Sequence, residues 1–259
     1  MIRVVVAGAT GKLGSLVCRL IEAQDDMCLA GAVVSANGGH VGKEIAPGVH
    51  AVGPDDIGAL VKEADVFVDV TPASAAEVNL MRALPSGINC VIGSTGINEG
   101  AIKEVERLIA GKGSSAVLTA NFSIGVNVFW KLCEQMARML PDYEVEIIEV
   151  HHDKKKDAPS GTALKAARII SESTGVEKLL CGREGVVGAR GREIGIHAVR
   201  IGDVVGEHTV IFGGNKERLE LTHKAHSREA FAEGCITAVR WVHGKKDGKV
   251  HTMAEVLGL

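Results

Sequence analysis

Hydrophobic positions in the first half of the chain fall into short solid blocks separated by stretches with helical spacing. Ile2, Val4, Val5 and Val6 form the first block. A small-residue turn over 7–14 follows, and then Leu16, Val17, Leu20 and Ile21 share one helical face. The rhythm repeats: apolar blocks at 29–34, 66–70, 89–92 and 117–120 alternate with polar tips and helical stretches such as 77–84. A strand buried on both faces reads as a continuous apolar run, and strands alternating with helices predict a parallel, doubly wound sheet.

The pattern changes after Ser123. A helix carrying Phe129, Leu132, Met136 and Leu140 ends at Pro141, and strands over 143–150, 195–200, 207–212 and 217–222 follow with one helix, 160–173, among them. Glycine-rich connections at 182–195 and 213–214 predict antiparallel pairing. Helices over 227–241 and 252–257 are expected to pack back on the first half. The expected fold is α/β: a Rossmann-like doubly wound parallel sheet over 1–122, completed by 232–259, and an α+β domain with a mixed, largely antiparallel sheet over 123–231.

Composition narrows the partners. The 259 residues are 46% hydrophobic, and 29 basic against 32 acidic residues give a formal charge of −3, which offers no basic surplus for nucleic acid. Aromatic content of 3% argues against base-stacking platforms. The six cysteines are scattered without a CxxC pair, so neither a disulfide framework nor a zinc ribbon is expected. No apolar stretch approaches the ~20 residues of a membrane span, and the first residues read as a buried strand and not as a secretion signal. A cytoplasmic protein with a small-molecule partner is expected.

The turn after the first block, Gly8-Ala9-Thr10-Gly11-Lys12-Leu13-Gly14, stands between a strand and a helix. Its glycines suit a tight turn, close approach of a pyrophosphate, and packing of helix on strand, with the phosphate on the helix amino end. A phosphate-transferring P-loop is excluded by spacing: two residues separate Gly8 from Gly11, and Leu13 follows Lys12 where a Ser or Thr would hold magnesium. At the tip of the second strand stand Ser35 and Ala36 where an acid commonly reads an adenosine ribose. With Lys12 and Lys43 nearby, NADPH is expected to be accepted at least as well as NADH. The tips at 71–74, 93–96 and 119–123 should line the same crevice, and the glycines and hydroxyls of 93–96 suit a nicotinamide ribose.

One string carries most of the remaining chemistry: residues 149–163, EVHHDKKKDAPSGTA. His151 and His152 close a strand and should point to opposite faces, which argues against a shared metal ion. Pro159 precedes Ser160, a plausible helix cap, and the N–H groups of Gly161 and Thr162 can grip a carboxylate. Cations on one arm and a helix amino end on the other make a site for an anionic substrate. A histidine and a lysine beside it could exchange protons, which suggests hydride transfer with the second domain supplying the proton.

These residues carry a resemblance. The string is similar to the E-x-H-H-x-x-K-x-D-A-P-S-G-T-A signature of the dihydrodipicolinate reductases. Further matches run in order along nearly the whole chain, at 8–14, 93–96, 120–123, 202–209 and 219–225. The resemblance implies that His151 and Lys155 form the proton-transfer pair, with Lys155 the donor, and that His152, Ser160, Gly161 and Thr162 hold the substrate's carboxylates. It implies cofactor contacts from Gly8, Ala9, Thr10, Gly11, Lys12 and Leu13, from Gly93, Ser94 and Thr95, and from Thr119, Ala120, Asn121 and Phe122.

The implied reaction passes hydride from NADH or NADPH to C4 of 4-hydroxy-tetrahydrodipicolinate, with loss of its hydroxyl as water, on the diaminopimelate route to lysine. The implied assembly is a homotetramer joined through the second domain's sheet, and no metal is implied. Two departures bear on the cofactor: Ser35-Ala36 replaces the acid-Arg pair of members that use NADH well, and Ala9-Thr10 makes the phosphate loop less glycine-rich. The rivals are an aspartate or homoserine dehydrogenase, which gives no reason for the His-His-Lys string, and a dinucleotide sensor without turnover, for which Lys155 would be dispensable.

Overall fold

The computed structural model describes residues 1–259. In chain order they form β1 (Ile2–Ala7), α1 (Gly14–Glu22), β2 (Met27–Val33), β3 (Glu44–Ala46), β4 (Val49–Val52), α2 (Ile57–Leu60), β5 (Val66–Asp69), α3 (Ala73–Ala83), β6 (Asn89–Ile92), α4 (Glu99–Lys112) and β7 (Ala116–Leu118). Then come α5 (Ile124–Met139), β8 (Glu144–His151), α6 (Gly161–Thr174), β9 (Leu179–Cys181), β10 (Ile194–Arg200), β11 (Gly206–Gly214) and β12 (Glu217–Ala225). The chain ends in α7 (Glu229–Val242), β13 (Val250–His251) and α8 (Met253–Leu257). Two compact units result, Met1–Ser123 with Glu229–Leu259, and Ile124–Arg228.

In the first unit the sheet runs β13-β7-β6-β5-β1-β2-β4-β3, parallel except where β3 meets β4. Alternation within each apolar block serves two cores. Ile2, Val4 and Val6 of β1 pack with Val17 and Ile21 of α1 and Ile236 and Val239 of α7, while Val5 and Ala7 pack with Phe67, Leu80, Leu84 and Ile109 on the other face. Both sides of each strand are therefore dry, which is why the blocks read as unbroken runs. Two ties hold α7 in this unit: Asn89 of β6 donates to the Val242 carbonyl at 2.8 Å, and Arg240 pairs with Asp26 at 2.8 Å. The short strands β3, β4 and β13 do not announce themselves in the sequence pattern.

The glycine turn closes as its spacing requires. Gly8 has φ +86°, and its N–H and that of Ala9 bond the Val33 carbonyl of β2 at 2.9 and 3.2 Å. A Cβ on Gly14 would stand 2.0 Å from the Gly8 carbonyl oxygen, so only glycine lets α1 begin so close to the end of β1.

In the second unit the sheet order is β12-β11-β8-β10-β9. The longest registers, β12 with β11 and β11 with β8, are antiparallel, but β8, β10 and β9 run parallel to one another. The expectation of antiparallel pairing thus fails for β10: α6 returns the chain from β8 to β9, and the connection 182–193 is long enough to return it again from β9 to β10, as parallel strands demand. Helices α5 and α6 cover one face, where Phe129, Trp130, Ala163, Ala167 and Ile170 pack on Val145, Ile147, Ile196, Val210 and Phe212. On the opposite face Glu146, Ile148 and Val150 of β8 are half-buried and Val199 of β10 is 40% exposed.

Candidate active site

Alternation along β8 places Val145, Ile147, Glu149 and His151 on the covered face, and the last two are polar. Glu149 is fully buried, and a lone carboxylate there would be prohibitive. Three residues match it with four hydrogen bonds. Arg200 of β10 forks both oxygens at 2.8 Å each, the Ser160 N–H donates to Oε1 at 3.0 Å, and His151 Nδ1 lies 2.5 Å from Oε2. Burial pushes the Glu149 carboxyl up, but the Arg200 fork, His151 and the Ser160 amide outweigh it and hold it below its ordinary value. An ionised carboxylate only accepts, so the His151 proton sits on Nδ1 and Nε2 is left bare. Burial lowers the His151 pKa, with Lys155 and Arg200 adding to the effect against the pull of Glu149. At neutral pH His151 is a neutral base.

Beyond His151 the chain turns. The His152 N–H bonds the Val204 carbonyl at 2.7 Å, the Lys155 N–H bonds the His152 carbonyl at 3.2 Å, and the Arg200 guanidinium also grips the Asp157 carbonyl at 2.6 Å. Lys155 Nζ reaches Asp157 Oδ1 at 2.9 Å, and that lysine contact is the main reason the Asp157 carboxyl titrates low. His152 follows the end of β8, and its enclosed Nδ1 has no partner in the protein. The Ala158–Pro159 bond is cis.

Ser160 caps α6, its Oγ accepting the Ala163 N–H at 3.2 Å, with a φ of −65° and ψ of 151° as a cap requires. Gly161 is exposed and Thr162 half-buried at the first turn of α6, whose amino end favours an anion. Trp130 of α5 steadies this end by donating to the Thr162 carbonyl at 3.1 Å. The structure therefore brings His151, Lys155, Ser160, Gly161 and Thr162 onto one scaffold around Glu149. Glu149, Arg200, His208 and Trp130 were not among the site residues expected from the sequence. Glu149 stands in the quoted string, but its partners lie 51 and 11 residues away in the chain. Only the tertiary register reveals them.

In the first unit the tips of the parallel strands gather at the carboxyl end of the sheet. Thr10, Gly11 and Lys12 are exposed, and no side chain caps α1; within its first turn the Ser15 N–H bonds the Gly11 carbonyl at 3.0 Å. The buried Asp69 at the end of β5 organises the neighbouring tips: it accepts from the Thr71 N–H at 2.9 Å, the Thr71 hydroxyl at 2.6 Å, Asn79 at 2.9 Å and Ser94 at 3.2 Å. The Ser94 side chain is thus engaged by the protein. So is that of Thr119, which bonds the Asn121 carbonyl at 2.9 Å and accepts the Asn121 N–H at 3.1 Å. Phe122 is buried against Gly93, where a Cβ would meet its ring at 2.3 Å. Thr95 and Ala120 stay exposed. These tips shape a surface with backbone groups, as a dinucleotide site does; the residues fit a bound NADH or NADPH.

Two family models span almost the whole chain. Dihydrodipicolinate reductase, N-terminus, matches residues 2–122, and dihydrodipicolinate reductase, C-terminus, matches residues 125–257. The chain belongs to the dihydrodipicolinate reductase family. It is 46% identical to a 4-hydroxy-tetrahydrodipicolinate reductase of Methanocaldococcus jannaschii, over 100% of this chain and 98% of that one, and 44% identical to one of Methanosarcina acetivorans over the full length of both. Among solved structures it is similar to a dipicolinate-bound dihydrodipicolinate reductase of Paenisporosarcina sp. TG-14, with TM-score 0.81, 28% identity and 98% of each chain covered. Members of this oxidoreductase family use NADH or NADPH, and residues 2–122 match its nucleotide-binding domain.

Proposed function

We propose that this chain reduces 4-hydroxy-tetrahydrodipicolinate to tetrahydrodipicolinate with loss of water, and that the scaffold around Glu149 performs the proton transfer and carboxylate binding. The observation that carries the reading is the single buried carboxylate that orients His151 through one oxygen and the start of α6 through the other. The bound nicotinamide cofactor supplies the hydride. The C4 hydroxyl must leave as water with a proton from the adjacent ring carbon, which gives a C=C conjugated to the ring imine; hydride at C4 then leaves negative charge on the ring, and one proton must follow. Lys155, held by Asp157 beside the neutral His151, is the donor and regains its proton from solvent, while the bare His151 Nε2 can accept a proton. Gly161 and Thr162 offer their N–H groups to one carboxylate, Ser160 fixes their direction, and His152 faces the same substrate.

Gly8, Ala9, Thr10, Gly11, Lys12 and Leu13 hold the pyrophosphate at the open amino end of α1, and Gly93, Ser94, Thr95, Thr119, Ala120, Asn121 and Phe122 shape the nicotinamide end. No helix is long and apolar enough to cross a membrane; the reading places the enzyme in the cytoplasm. It also assigns the half-buried face of the second sheet, with Val199, to a homotetramer interface.

The test is the initial rate of NADPH and NADH oxidation with freshly generated substrate, in wild type and Lys155→Ala. A fast wild-type rate that drops roughly 10²-fold or more in kcat is expected for loss of a proton donor. Tight dinucleotide binding without turnover would overturn the reading.

A further inference from the structure

Buried in the second unit is a titratable ring that the proton transfer does not use. His208 of β11 is 4% exposed, its Nε2 lies 3.0 Å from Ser160 Oγ, and its enclosed Nδ1 has no partner in the protein. Its ring stands edge-on to His151 at 5.2 Å and near Phe129 and His223 at 6.3 and 6.5 Å. Burial, with His151 adding to it, pushes His208 down to about 3, so the ring is neutral wherever the enzyme works and takes no part in exchanging protons. An idle buried nitrogen is a cost to folding, and a phenyl ring beside Phe129 would avoid that cost. The one polar contact His208 makes should therefore have a use.

That contact falls on the residue that aims the amino end of α6. Ser160 is held by Glu149 at its N–H and by Ala163 at its Oγ. A hydroxyl with the cap bond alone can still change rotamer; a second partner on Oγ fixes it. The bond forms whichever atom carries the hydrogen, because the hydroxyl can donate to a bare Nε2 or accept from a protonated one.

We propose that His208 is a positioning residue for substrate binding: it locks the Ser160 hydroxyl and so sets the direction in which the Gly161 and Thr162 N–H groups meet a substrate carboxylate. The inference rests on the reading of α6 as the carboxylate site. It assigns His208 to affinity and not to the chemical step.

Isothermal titration with dipicolinate, alongside steady-state kinetics, tests both layers. His208→Phe, which keeps volume and removes Nε2, should weaken dipicolinate about 10-fold and raise the substrate KM in parallel, with kcat and the NADPH KM within about 2-fold. His208→Gln, whose amide nitrogen can take the place of Nε2, should recover most of the loss and serves if the Phe variant folds poorly. Ser160→Ala should lose a similar amount, and adding His208→Phe to it should cost nothing more. A folded His208→Phe that binds dipicolinate like the wild type, a Gln variant as weak as the Phe variant, or additive losses would each overturn the role of His208. A wild type that ignores dipicolinate would instead overturn the carboxylate reading of α6.

Discussion

The two units build their polar surfaces in opposite ways. The first works with backbone: glycines at 8, 11 and 14 bring peptide groups forward, and polar side chains hold the loops, Ser94 bonding Asp69 and Thr119 bonding the Asn121 backbone. The second works with side chains, joining Glu149 of β8, Arg200 of β10 and the cap of α6 in one buried network. A cofactor shared by many enzymes needs only a shaped cradle. A proton delivered to one carbon needs a base and a donor fixed in orientation, and fixed side chains in a dry interior require fully paired charges.

The sharpest way to break the second arrangement is Glu149→Gln. The amide has one accepting oxygen where Glu149 has two, so it cannot serve the Arg200 fork, the Ser160 N–H and His151 together, and with an NH2 in place of the second oxygen it leaves the His151 tautomer unfixed. We expect kcat to fall roughly 10²-fold or more while NADPH binding is unchanged, measured by stopped-flow oxidation and fluorescence titration. The pH profile adds a sign. Burial holds the His151 pKa below its ordinary value, so His151 stays a base from neutral pH downward until the pH falls through that lowered value, where activity is lost. The carboxylate pulls this pKa upward, so its removal should move the acid limb of the residual rate to lower pH. An acid limb that stays in place would separate His151 from Glu149.

The same contrast explains how much could be read in advance. The first sheet and its glycine turn were legible because each depends on local order: apolar blocks, then Gly8, Gly11 and Gly14 at a fixed spacing. The 149–163 string was legible as chemistry, and its resemblance gave the family. The partnership of Glu149 with Arg200 and of Ser160 with His208 was not, since sheet register, β8 beside β10 and β11, brings those residues together. The parallel arrangement of β10 escaped for a related reason: a glycine-rich connection such as 182–193 looks alike whether it closes a hairpin or returns the chain between parallel strands.

Breaking the first arrangement should act on binding and leave chemistry alone. In Gly14→Ala the new Cβ must displace the Gly8 carbonyl, a backbone atom with no rotamer to change. We expect a loss of about 1–3 kcal/mol in stability by thermal denaturation and at least a roughly 10-fold weaker NADPH dissociation constant. At saturating cofactor kcat should hold within about 3-fold. A variant that binds NADPH normally would show that the loop can withdraw without harm to the cradle.

The finest test bears on the tip of β2, the place in the cradle where a side chain should matter. Ser35 is exposed there, and His40 and Lys43 follow it, with Lys43 Nζ 3.1 Å from His40 Nδ1. An acid at this tip would hydrogen-bond a ribose 2′-hydroxyl and repel a 2′-phosphate. Ser35 does neither strongly, and the neighbouring lysine favours the phosphate. Ser35→Asp should therefore raise the NADPH KM by about 10-fold and leave the NADH KM equal or lower, a shift in ratio read from steady-state rates with each cofactor. Lys43→Ala should move the ratio the same way by a smaller factor, because an exposed charge is screened by salt. A ratio indifferent to both changes would mean that even here the backbone, and no side chain, decides what the cradle accepts.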